Sequence, residues 1–551
     1  MIRGRIAGRP PKLKTANRAK TCMQLEQPAQ PRSSSASTDT AAVETLKVLV
    51  TASETYPELE RAFLTAEETV LAGFRMFDLD TRLRAPEACE IGETWADLFV
   101  HTLDRGVAIN LTVADFDPIA APELHRIAWG TQRQIDEVRT RTTAPERLTF
   151  KVAMHDARVG LLHKLLFYPV VRYREARLAR QWLNMSKDEK ALFRQETPGL
   201  QERCYETEDG RLCFSVRLAD LHPATHHQKI AVFDRKVAFI GGLDLNERRY
   251  DTKAHDRPAD ETWHDIQVRV TGGVARDVQR HLESFTDVVA GKADPPQVSP
   301  AFLRTLSRSA AAIGRLSPVN LVNEIEERHH HEIARARKLI YLETQYLRHQ
   351  PLAKALARRA RACPELKLIV VLPAAPEELA FSHTRGLDAR FGLFLKLRCL
   401  RHLRSAFGND RLLVASPVQA RASDGNGPDT MCRSPLIYVH SKVSIFDENA
   451  AIVSSANLNG RSFRWDTETG VALTRPEDVA EVRKCVMGHW APDGAGVEYL
   501  DIDTCFERWK ALINDNSTCP PEQRNGFLVR HDTDAAREIA VPAPGVPDEM
   551  V

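Results

Sequence analysis

The most informative feature of the chain is a reactive pattern that occurs twice. The pattern HxKxxxxD spans residues 227–234 and again 440–447, an offset of 213 residues. The same offset relates three further pairs of polar positions, which are Asp244 and Asn457, Asn246 and Asn459, and Arg248 and Arg461. The pattern predicts an internal duplication in which the matched positions are polar and reactive rather than only apolar.

The residue types in this pattern suit the cleavage of a phosphodiester. Such a reaction needs a nucleophile, a proton for the leaving alkoxide and positive charge near the non-bridging oxygens. Two histidines, His227 and His440, can divide the first two tasks because an imidazole changes its protonation near neutral pH. Lys229 and Lys442 supply the positive charge, together with nearby amide and hydroxyl groups. This set of groups requires no metal ion and no cofactor, and we expect neither.

Each copy of the pattern is predicted to lie on a strand–turn–strand unit. The predicted strands are residues 230–233, 237–240, 443–446 and 450–453. A histidine and a lysine two residues apart at the start of a strand point to the same face. The pairs Gly241-Gly242 and Ser454-Ser455 follow, and small residues let backbone N–H groups approach an anion. Two such half-sites facing each other make one complete phosphate site.

The aspartate that ends each pattern is predicted to lie at the corner between strand and turn. Asp234 and Asp447 complete the six candidate catalytic residues, with the two histidines and the two lysines. Because aspartate side chains commonly bond to the backbone amides of turns, a structural role is favoured for these two residues over direct chemistry.

At these residues the chain resembles the phospholipase D superfamily. The resemblance covers both patterns and further segments, which are Gly241-Gly242-Leu243-Asp244-Leu245, Trp263-His264-Asp265, Ile340-Tyr341-Leu342-Glu343-Thr344-Gln345-Tyr346, Ser454-Ser455-Ala456-Asn457-Leu458-Asn459 and Asp466-Thr467-Glu468. Together these segments touch most of residues 46–490. The chain departs from the family at Ser454, where relatives usually have glycine.

The resemblance implies a bilobal, duplicated α/β fold, with two α/β/α sandwich halves and one active site at their interface. It implies that one histidine attacks phosphorus to form a phosphohistidine. The other protonates the leaving alcohol and then activates water or a second alcohol. By the same resemblance His227 is the nucleophile and His440 the acid and base, although the sequence alone does not break the symmetry between them.

The resemblance also implies residues that support the two histidines. Relatives pair each histidine with a carboxylate. Glu468, 28 residues after His440, matches that position for His440, and Asp265 is the candidate for His227. Glu343 and Gln345 share one face of a predicted strand and are expected near the site. The candidate phosphate-binding and supporting residues are Asp244, Asn246, Asp265, Glu343, Gln345, Ser455, Asn457, Asn459 and Glu468.

The order of predicted elements divides the chain into four parts. These are a basic, disordered tail at 1–45, a first half at 46–290, a second half at 291–495 and a partly disordered extension at 496–551. Predicted strands at 68–77, 107–113, 339–342 and 366–372 alternate with predicted helices at 122–138, 322–337 and 352–362. This alternation is typical of a mixed α/β sandwich.

The composition limits the functions that the chain supports. It has 76 Lys and Arg against 74 Asp and Glu, so its overall charge does not indicate a polyanion-binding protein. No apolar run approaches the roughly 18 residues of a membrane span, which disfavours the membrane-anchored cardiolipin synthases of the superfamily. We expect a cytoplasmic or peripheral membrane protein or, alternatively, one secreted without an ordinary signal.

The predicted function is that of a phospholipase D, which hydrolyses glycerophospholipids to phosphatidate and a headgroup alcohol. The alternative is a phosphatidyltransferase resembling cardiolipin synthase. A nuclease is less favoured because nucleases of the superfamily often carry one pattern per chain. A non-catalytic scaffold is disfavoured because both histidines and both lysines are present. The expected partners are a phospholipid at a membrane surface and an acceptor, either water or an alcohol. We expect no nucleic acid partner and a monomeric chain.

Three other segments each allow two interpretations. His329-His330-His331 lies at the start of a predicted helix, where consecutive residues do not converge on one ion, so a solvated helix face is favoured over a metal cluster. Residues 390–407 favour a core-packed helix with a basic outer face over a membrane-facing helix. Residues 161–185 mix aromatic and cationic side chains, which suits either contact with anionic headgroups or ordinary packing.

Overall fold

Both copies of the pattern lie in the middle of a β-sheet. The computed structural model describes residues 42–309, 318–382 and 386–551, so nearly all of the predicted basic tail lies outside the described residues. The strands of the first half are β1 (Leu46–Val50), β2 (Thr69–Phe74), β3 (Ala108–Ala114), β4 (Leu148–Ala153), β5 (Cys204–Glu206), β6 (Leu212–Phe214), β7 (Ile230–Phe233), β8 (Val237–Gly241) and β9 (Ile266–Thr271). Those that follow are β10 (Phe302–Arg308), β11 (Val319–Asn323), β12 (Leu339–Thr344), β13 (Lys367–Val371), β14 (Leu412–Pro417), β15 (Thr430–Met431), β16 (Ser434–Pro435), β17 (Lys442–Phe446), β18 (Ala450–Ser454), β19 (Glu468–Leu473) and β20 (Leu528–Arg530).

Helices connect these strands and cover the outer faces of the sheets. In the first half they are α1 (Thr51–Thr65), α2 (Pro86–Cys89), α3 (Trp95–Asp104), α4 (Pro122–Arg141), α5 (Leu161–Leu183), α6 (Lys187–Glu196), α7 (Pro198–Gln201) and α8 (Gly273–Val289). In the rest of the chain they are α9 (Glu324–Arg335), α10 (Gln350–Ala362), α11 (Glu377–Ala380), α12 (Leu387–Phe407), α13 (Gly460–Arg464), α14 (Pro476–Trp490), α15 (Cys505–Thr518) and α16 (Asp534–Ile539). The predicted strands and helices named above are confirmed to within a few residues at their ends.

The two large sheets have the same strand order, which confirms the duplication at the level of topology. The first sheet runs β1-β9-β8-β7-β2-β3-β4, and the second contains β10-β19-β18-β17-β12-β13-β14 in the corresponding places. In both, the pattern-bearing hairpin pairs antiparallel with β2 or β12, and two parallel pairings follow. The second sheet has one additional strand at each edge, β11 and β20.

Side chains alternate along the strands between a central core and an outer core. Ile230 and Val232 of β7 belong to the same buried cluster as Val443 and Ile445 of β17. Their neighbours Ala231 and Phe233 pack into a separate cluster under the helices of the first half. This two-residue period follows from the pleat of a strand. The two sheets therefore share one apolar core, and the structure is the predicted duplicated α/β fold.

The segment after the second half contributes to this core. Trp509 and Ile513 of α15 are buried in the cluster shared by the two sheets. Strand β20 pairs antiparallel with β14, with Ala415 opposite Arg530. Residues 505–530 are therefore integrated in the fold, while the boundaries of the four predicted parts stay a prediction. Within the described ranges, no helix combines the length and the apolar character that crossing a bilayer requires.

Candidate active site

Short segments of the two halves pair with each other where the two HxKxxxxD patterns begin. The His227 amide donates to the Thr467 carbonyl at 2.9 Å, so the entry to β7 runs beside the entry to β19 of the other half. In the same way the His440 amide donates to the His264 carbonyl at 2.8 Å. Each histidine is thus placed beside a strand of the opposite half, and the two histidines meet in one cleft.

Each of the two candidate catalytic histidines is bonded to a carboxylate from the opposite half. His227 Nδ1 lies 2.9 Å from Glu468 Oε1, and His440 Nδ1 lies 2.6 Å from Asp265 Oδ2. The predicted pairing within each half, Glu468 with His440 and Asp265 with His227, is therefore wrong. The reason is that the backbone of each histidine pairs with the carboxylate-bearing segment of the other half.

The small-residue pairs make room for these carboxylates. A Cβ added at Gly242 would lie 2.1 Å from Asp265 Oδ1, so only glycine fits there. In the second half Ser455 donates its hydroxyl to Glu468 Oε2 at 2.5 Å. The amides of Gly242 and Ser455 bond to carbonyls of the neighbouring strands. The expectation that these backbone amides bind an anion is therefore wrong, because the sheet already uses them.

The two lysines are buried, each beside its own histidine. Lys229 Nζ donates to the His227 carbonyl at 2.5 Å and lies 3.7 Å from Asp244 Oδ2. Lys442 Nζ donates to the His440 carbonyl and lies 3.0 Å from His440 Nδ1. Burial lowers the pKa of Lys229 to about 8 and that of Lys442 to about 7. Both ammonium groups therefore depend on nearby negative charge to stay protonated.

The motif aspartates bond to backbone amides, as favoured from the sequence, and neither lines the cleft, so their place among the catalytic candidates is not supported. Asp234 accepts hydrogen bonds from the amides of residues 67, 68 and 69, each at 2.8 Å. Asp447 accepts from the amides of residues 337, 338 and 339, at 2.7 to 2.9 Å. These amides belong to the entries of β2 and β12 rather than to the turns themselves. Each aspartate therefore fixes the strand next to its hairpin and lies outside the cleft.

The remaining candidates divide between the cleft and its surroundings. Asn457 and Asn459 line the cleft, and buried Asn457 Oδ1 has no partner within the described residues. Asp244 lies beside Lys229 and accepts from the amides of Arg75 and Met76 at 3.1 and 3.0 Å. Asn246 instead caps a short 3-10 turn by accepting from the Arg248 amide. The predicted phosphate-binding role is therefore not supported for Asn246.

Glu343 and Gln345 lie close to the catalytic pair, as expected. Glu343 accepts from Ser441 Oγ at 2.5 Å and lies 2.9 Å from His264 Nε2, so it contacts residues adjacent to both His440 and Asp265. Gln345 lines the cleft and donates to the Tyr438 hydroxyl at 2.9 Å. Glu343 therefore supports the backbone segments that carry His440 and Asp265. Gln345 borders the space where a ligand would bind.

The cleft has a volume of about 460 Å³ and contains more positive charge than the sequence patterns indicated. The guanidinium of Arg249 lies 4.3 Å from the centre of the Trp263 ring, which in turn lies 4.7 Å from the His440 ring. Arg75 and Arg461 also line the cleft. The repeat offset had matched Arg461 with Arg248, but Arg248 is exposed and pairs with Glu377. Of the cleft arginines Arg75, Arg249 and Arg461, only Arg461 was indicated by the sequence, through the repeat offset.

Burial and positive charge decide the protonation of the catalytic histidines. Burial, followed by Lys229, holds the pKa of His227 well below its ordinary value. Burial, followed by Lys442, does the same for His440. Burial also raises the pKa of Glu468 to about 8 and that of Asp265 above its ordinary value. Both imidazoles are therefore neutral at neutral pH. An ionised carboxylate at Nδ1 holds the ring proton there and leaves a nucleophilic lone pair on Nε2.

The triple histidine of α9 does not form one solvated face. His329 is buried, with Nε2 3.0 Å from Ser444 Oγ and Nδ1 2.8 Å from the Ile325 carbonyl. His330 is half-buried and lies 3.7 Å from Glu326, whereas His331 is exposed. The prediction is wrong for His329 because successive residues of a helix point about 100° apart, so the first faces the sheet and the third faces solvent.

Comparison with known proteins finds a matching family model and several distantly similar proteins. A family model described as "Cardiolipin synthase, PLD-like domain" matches residues 330–490. Phospholipase D alpha 2 of Arabidopsis thaliana is 25% identical over 367 residues, covering 45% of this chain and 45% of that protein. Phospholipase D alpha 1 of Oryza sativa subsp. japonica is 25% identical over 371 residues, with 45% of each chain covered. The match thus spans less than half the length of these plant proteins.

Solved structures that align with most of this chain include one from Haemophilus influenzae. The crystal structure of phosphatidylserine synthase from Haemophilus influenzae Rd KW20 has a TM-score of 0.48 and 12% sequence identity. The alignment covers 82% of this chain and 86% of that one.

Proposed function

The chain belongs to the phospholipase D superfamily, and we propose that it hydrolyses glycerophospholipids to phosphatidate and a headgroup alcohol through a phosphohistidine. The observation that carries the proposal is the crossed arrangement of the cleft. Two imidazoles from two halves face one space, and each is held by a carboxylate from the opposite half. A nucleophile and a separate proton donor therefore stand ready on the same phosphodiester.

The proposed first step forms a bond between His227 Nε2 and phosphorus. The bond from phosphorus to the headgroup oxygen breaks, and that oxygen takes a proton from His440. We assign the attack to His227 because its side chain is 13% exposed, against 3% for His440. His440 must be protonated for this step. The negative charge of the bound phosphodiester offsets the lysines and Arg249, which raises the pKa of His440 when substrate enters.

The proposed second step releases the product. His440 takes a proton from water, the water oxygen bonds to phosphorus, and the bond from His227 Nε2 to phosphorus breaks. The buried positive groups stabilise the charge on the non-bridging oxygens in both steps. Asn457, whose amide oxygen is buried without a partner in the described part of the chain, marks a further place where substrate or water completes the hydrogen bonding.

An apolar helix face next to the cleft supports a lipid surface as the location of the substrate. Six large apolar residues in the N-terminal half of α5 are between 49% and 67% exposed, and they are Leu161, Leu162, Leu165, Leu166, Val170 and Tyr173. Arg177 and Arg180 on the same helix are exposed, and Arg174 lines the cleft. An apolar face flanked by arginines suits an anionic bilayer surface. Trp182, which lies in the 161–185 segment that suits such a contact, is fully buried instead.

The α5 face can be tested apart from the chemistry. Leu166→Glu should strongly reduce activity on anionic vesicles and leave activity on a monomeric short-chain phospholipid nearly unchanged. Val497→Glu is the matched control, because Val497 is 79% exposed and lies outside α5. Equal losses for Leu166→Glu on vesicles and monomers would exclude a role for this face in surface binding.

A phosphatidyltransferase is the second candidate, and the family model's description as a cardiolipin synthase domain favours it. The phosphohistidine is common to both functions, so the acceptor decides between them. Mixed vesicles of phosphatidylcholine, phosphatidylethanolamine and phosphatidylglycerol should be incubated with and without ethanol or glycerol, followed by lipid analysis. The His227→Ala variant serves as the control for background hydrolysis.

Each outcome of this experiment has a clear meaning. We expect phosphatidate in water alone and phosphatidylethanol when ethanol is added, with total headgroup release little changed. Cardiolipin formed from phosphatidylglycerol with little phosphatidate would make the protein a transferase. Headgroup release without phosphatidylethanol over a wide ethanol range would mean direct attack by water. No headgroup release from any of the three lipids would overturn the proposed substrate class.

A further inference from the structure

A second group of histidines lies next to the cleft but does not line it. His255 and His264 belong to the connection between β8 and β9, and His489 is at the C-terminal end of α14. One ring nitrogen of each lies within 4.8 Å of those of the other two. His255 and His264 are fully buried, and His489 is half-buried. None of the three is used by the phosphodiester chemistry proposed above.

Two carboxylates fix which nitrogens of this group are free. His255 Nδ1 lies 2.6 Å from Asp251 Oδ2, and His264 Nε2 lies 2.9 Å from Glu343 Oε1. A carboxylate on one ring nitrogen holds the proton there and leaves a lone pair on the other nitrogen. The free lone pairs are therefore those of His255 Nε2 and His264 Nδ1.

One of these two free nitrogens is not satisfied by the described residues. His255 Nε2 lies 3.0 Å from Nε2 of His489 and can accept a hydrogen bond from it. His264 Nδ1 is buried and has no hydrogen-bond partner within the described residues. An unpaired lone pair in the interior is costly, and a cation is the partner that would satisfy it.

The spacing of the three rings fits a tetrahedral ion. The ring centres are 5.5 Å apart for His255 and His264, 5.1 Å for His255 and His489, and 4.7 Å for His264 and His489. Zinc–nitrogen bonds of about 2.0–2.1 Å at tetrahedral angles place imidazole centres about 5 Å apart. The ring spacing is therefore compatible with three histidines around one ion.

We propose that His255, His264 and His489 bind one divalent transition-metal ion of the zinc class, with Asp251 and Glu343 orienting two of the three ligands. Carboxylates bonded to the outer nitrogens of histidine ligands are typical of such sites. His489 also lines a surface cavity of about 980 Å³, from which a water molecule would complete the coordination.

The ion would join the β8–β9 connection to α14. The carbonyl of His264 accepts from the amides of His440 and Ser441, and the next residue, Asp265, orients His440. The ion thus stabilises the backbone from which Asp265 projects, yet it lies outside the cleft lining. Its expected effect is on the stability of the fold rather than on phosphoryl transfer.

A second group of possible ligand residues provides an internal control for this assignment. Glu326, His330 and His349 also offer ligand atoms within 4.8 Å of one another. There, however, the Glu326 carboxylate already accepts two hydrogen bonds from the Arg464 guanidinium, at 3.1 and 3.0 Å. A cation so close would repel a metal ion, so this cluster serves as the internal control.

The test is metal binding by the full chain. Protein freed of metal with a chelator and then dialysed should be titrated with Co²⁺ while its visible absorption is recorded, and then with Zn²⁺ in competition. We expect one equivalent of Co²⁺ with the intense absorption of tetrahedral coordination, displaced by Zn²⁺. His489→Ala should abolish the signal, and Asp251→Asn should weaken binding by about 10- to 100-fold. His330→Ala should change nothing.

The variants are checked for folding by circular dichroism, and His489→Gln replaces His489→Ala if the latter unfolds. Loss of the signal in His330→Ala but not in the His489 variant would assign the ion to the other cluster and overturn the proposal. Absence of stoichiometric binding by the unchanged chain would overturn it as well. Because the readout is a spectrum rather than turnover, the result is independent of which lipid the cleft accepts.

Discussion

The two halves of the molecule share a framework and differ in the polar groups placed on it. Seven strands follow the same order in both sheets, and Asp234 and Asp447 hold the same neighbouring strand in each. After its hairpin, the first half has the 3-10 turn Glu247–Arg249, whereas the second has helix α13, capped by Asn459. The comparison shows that the duplicated core constrains the strands, while the loops at the cleft were free to diverge.

The difference with the largest chemical consequence is the charge beside the lysines. Lys229 has Asp244 at 3.7 Å, and the corresponding residue in the second half is the neutral Asn457. Burial is the main cause of both lowered values, with the pKa of Lys229 at about 8 and that of Lys442 at about 7. Asp244 raises the pKa of Lys229 and Asp265 raises that of Lys442, so the two half-sites are unequal in the source of the compensating charge despite identical patterns.

The largest expected effect comes from removing either histidine. His227→Ala and His440→Ala should each lower kcat by about 10⁴-fold or more, and the double variant should be little worse, because the residues act as a unit. A substrate with a p-nitrophenol leaving group separates the roles, since that group leaves without a proton. With it, His440→Ala should still form a phosphohistidine that acid quench traps on a peptide containing His227. Label on His440 instead would reverse the assignment.

The crossed carboxylates should have the next largest effect. Glu468→Gln and Asp265→Asn should each lower kcat by about 10²- to 10⁴-fold, because the carboxylate holds the imidazole tautomer and its orientation. Glu468→Gln should impair formation of the phosphohistidine, the step assigned to His227. Asp265→Asn should impair it only for substrates whose leaving group needs a proton. If Asp265→Asn impaired formation of the phosphohistidine for every substrate, and Glu468→Gln impaired it only where the leaving group needs a proton, each carboxylate would act on the histidine of its own half.

The inequality of the lysines should appear in the pH dependence of kcat/KM. A lysine with a lowered pKa loses its positive charge as pH rises through that value, so kcat/KM should fall from about pH 7 to 8 upward. Lys442→Arg keeps its charge and should move this alkaline limb upward by roughly one pH unit. Lys229→Arg should move it less. Equal shifts in both variants would show that Asp244 does not distinguish the two halves.

The motif aspartates should affect stability rather than chemistry. Asp234→Ala and Asp447→Ala each leave three backbone amides without a charged acceptor, which should lower the free energy of unfolding by about 2–4 kcal/mol. Asp447 is the more buried of the two and should cost more. Urea unfolding measures the change, with the exposed Asp209→Ala as control. A large fall in kcat of the folded variants at low temperature would return these residues to the catalytic set.

The smallest effect on turnover is expected from metal removal. Chelation should leave kcat nearly unchanged, because the cleft's own lysines and arginines supply the positive charge. The midpoint of thermal unfolding should fall when the ion is removed and recover with zinc, as for any ligand that binds only the folded state. Complete loss of turnover that zinc restores would mean that an ion takes part in the reaction.

The framework of the site was predictable from the sequence because it depends on local patterns. Predicted strands of four residues each identified β7, β8, β17 and β18 around their turns. The repeated motif identified both histidines and both lysines. Arg75 and Arg249 were not predictable, since no spacing relates them to the motif and only the packing of the loops brings them to the cleft.

The sequence by itself determined the duplication, the class of fold and the reactive groups, because periodicity and residue type are properties of neighbouring positions. Only the tertiary structure decided which carboxylate serves which histidine. Glu468 lies 241 residues from His227 but 28 from His440, yet it bonds to the more distant one. Where the two sheets pack face to face, segments of one half pair with segments of the other. Sequence spacing does not predict this pairing. The same holds for His489, which α14 brings to the two histidines of the other half.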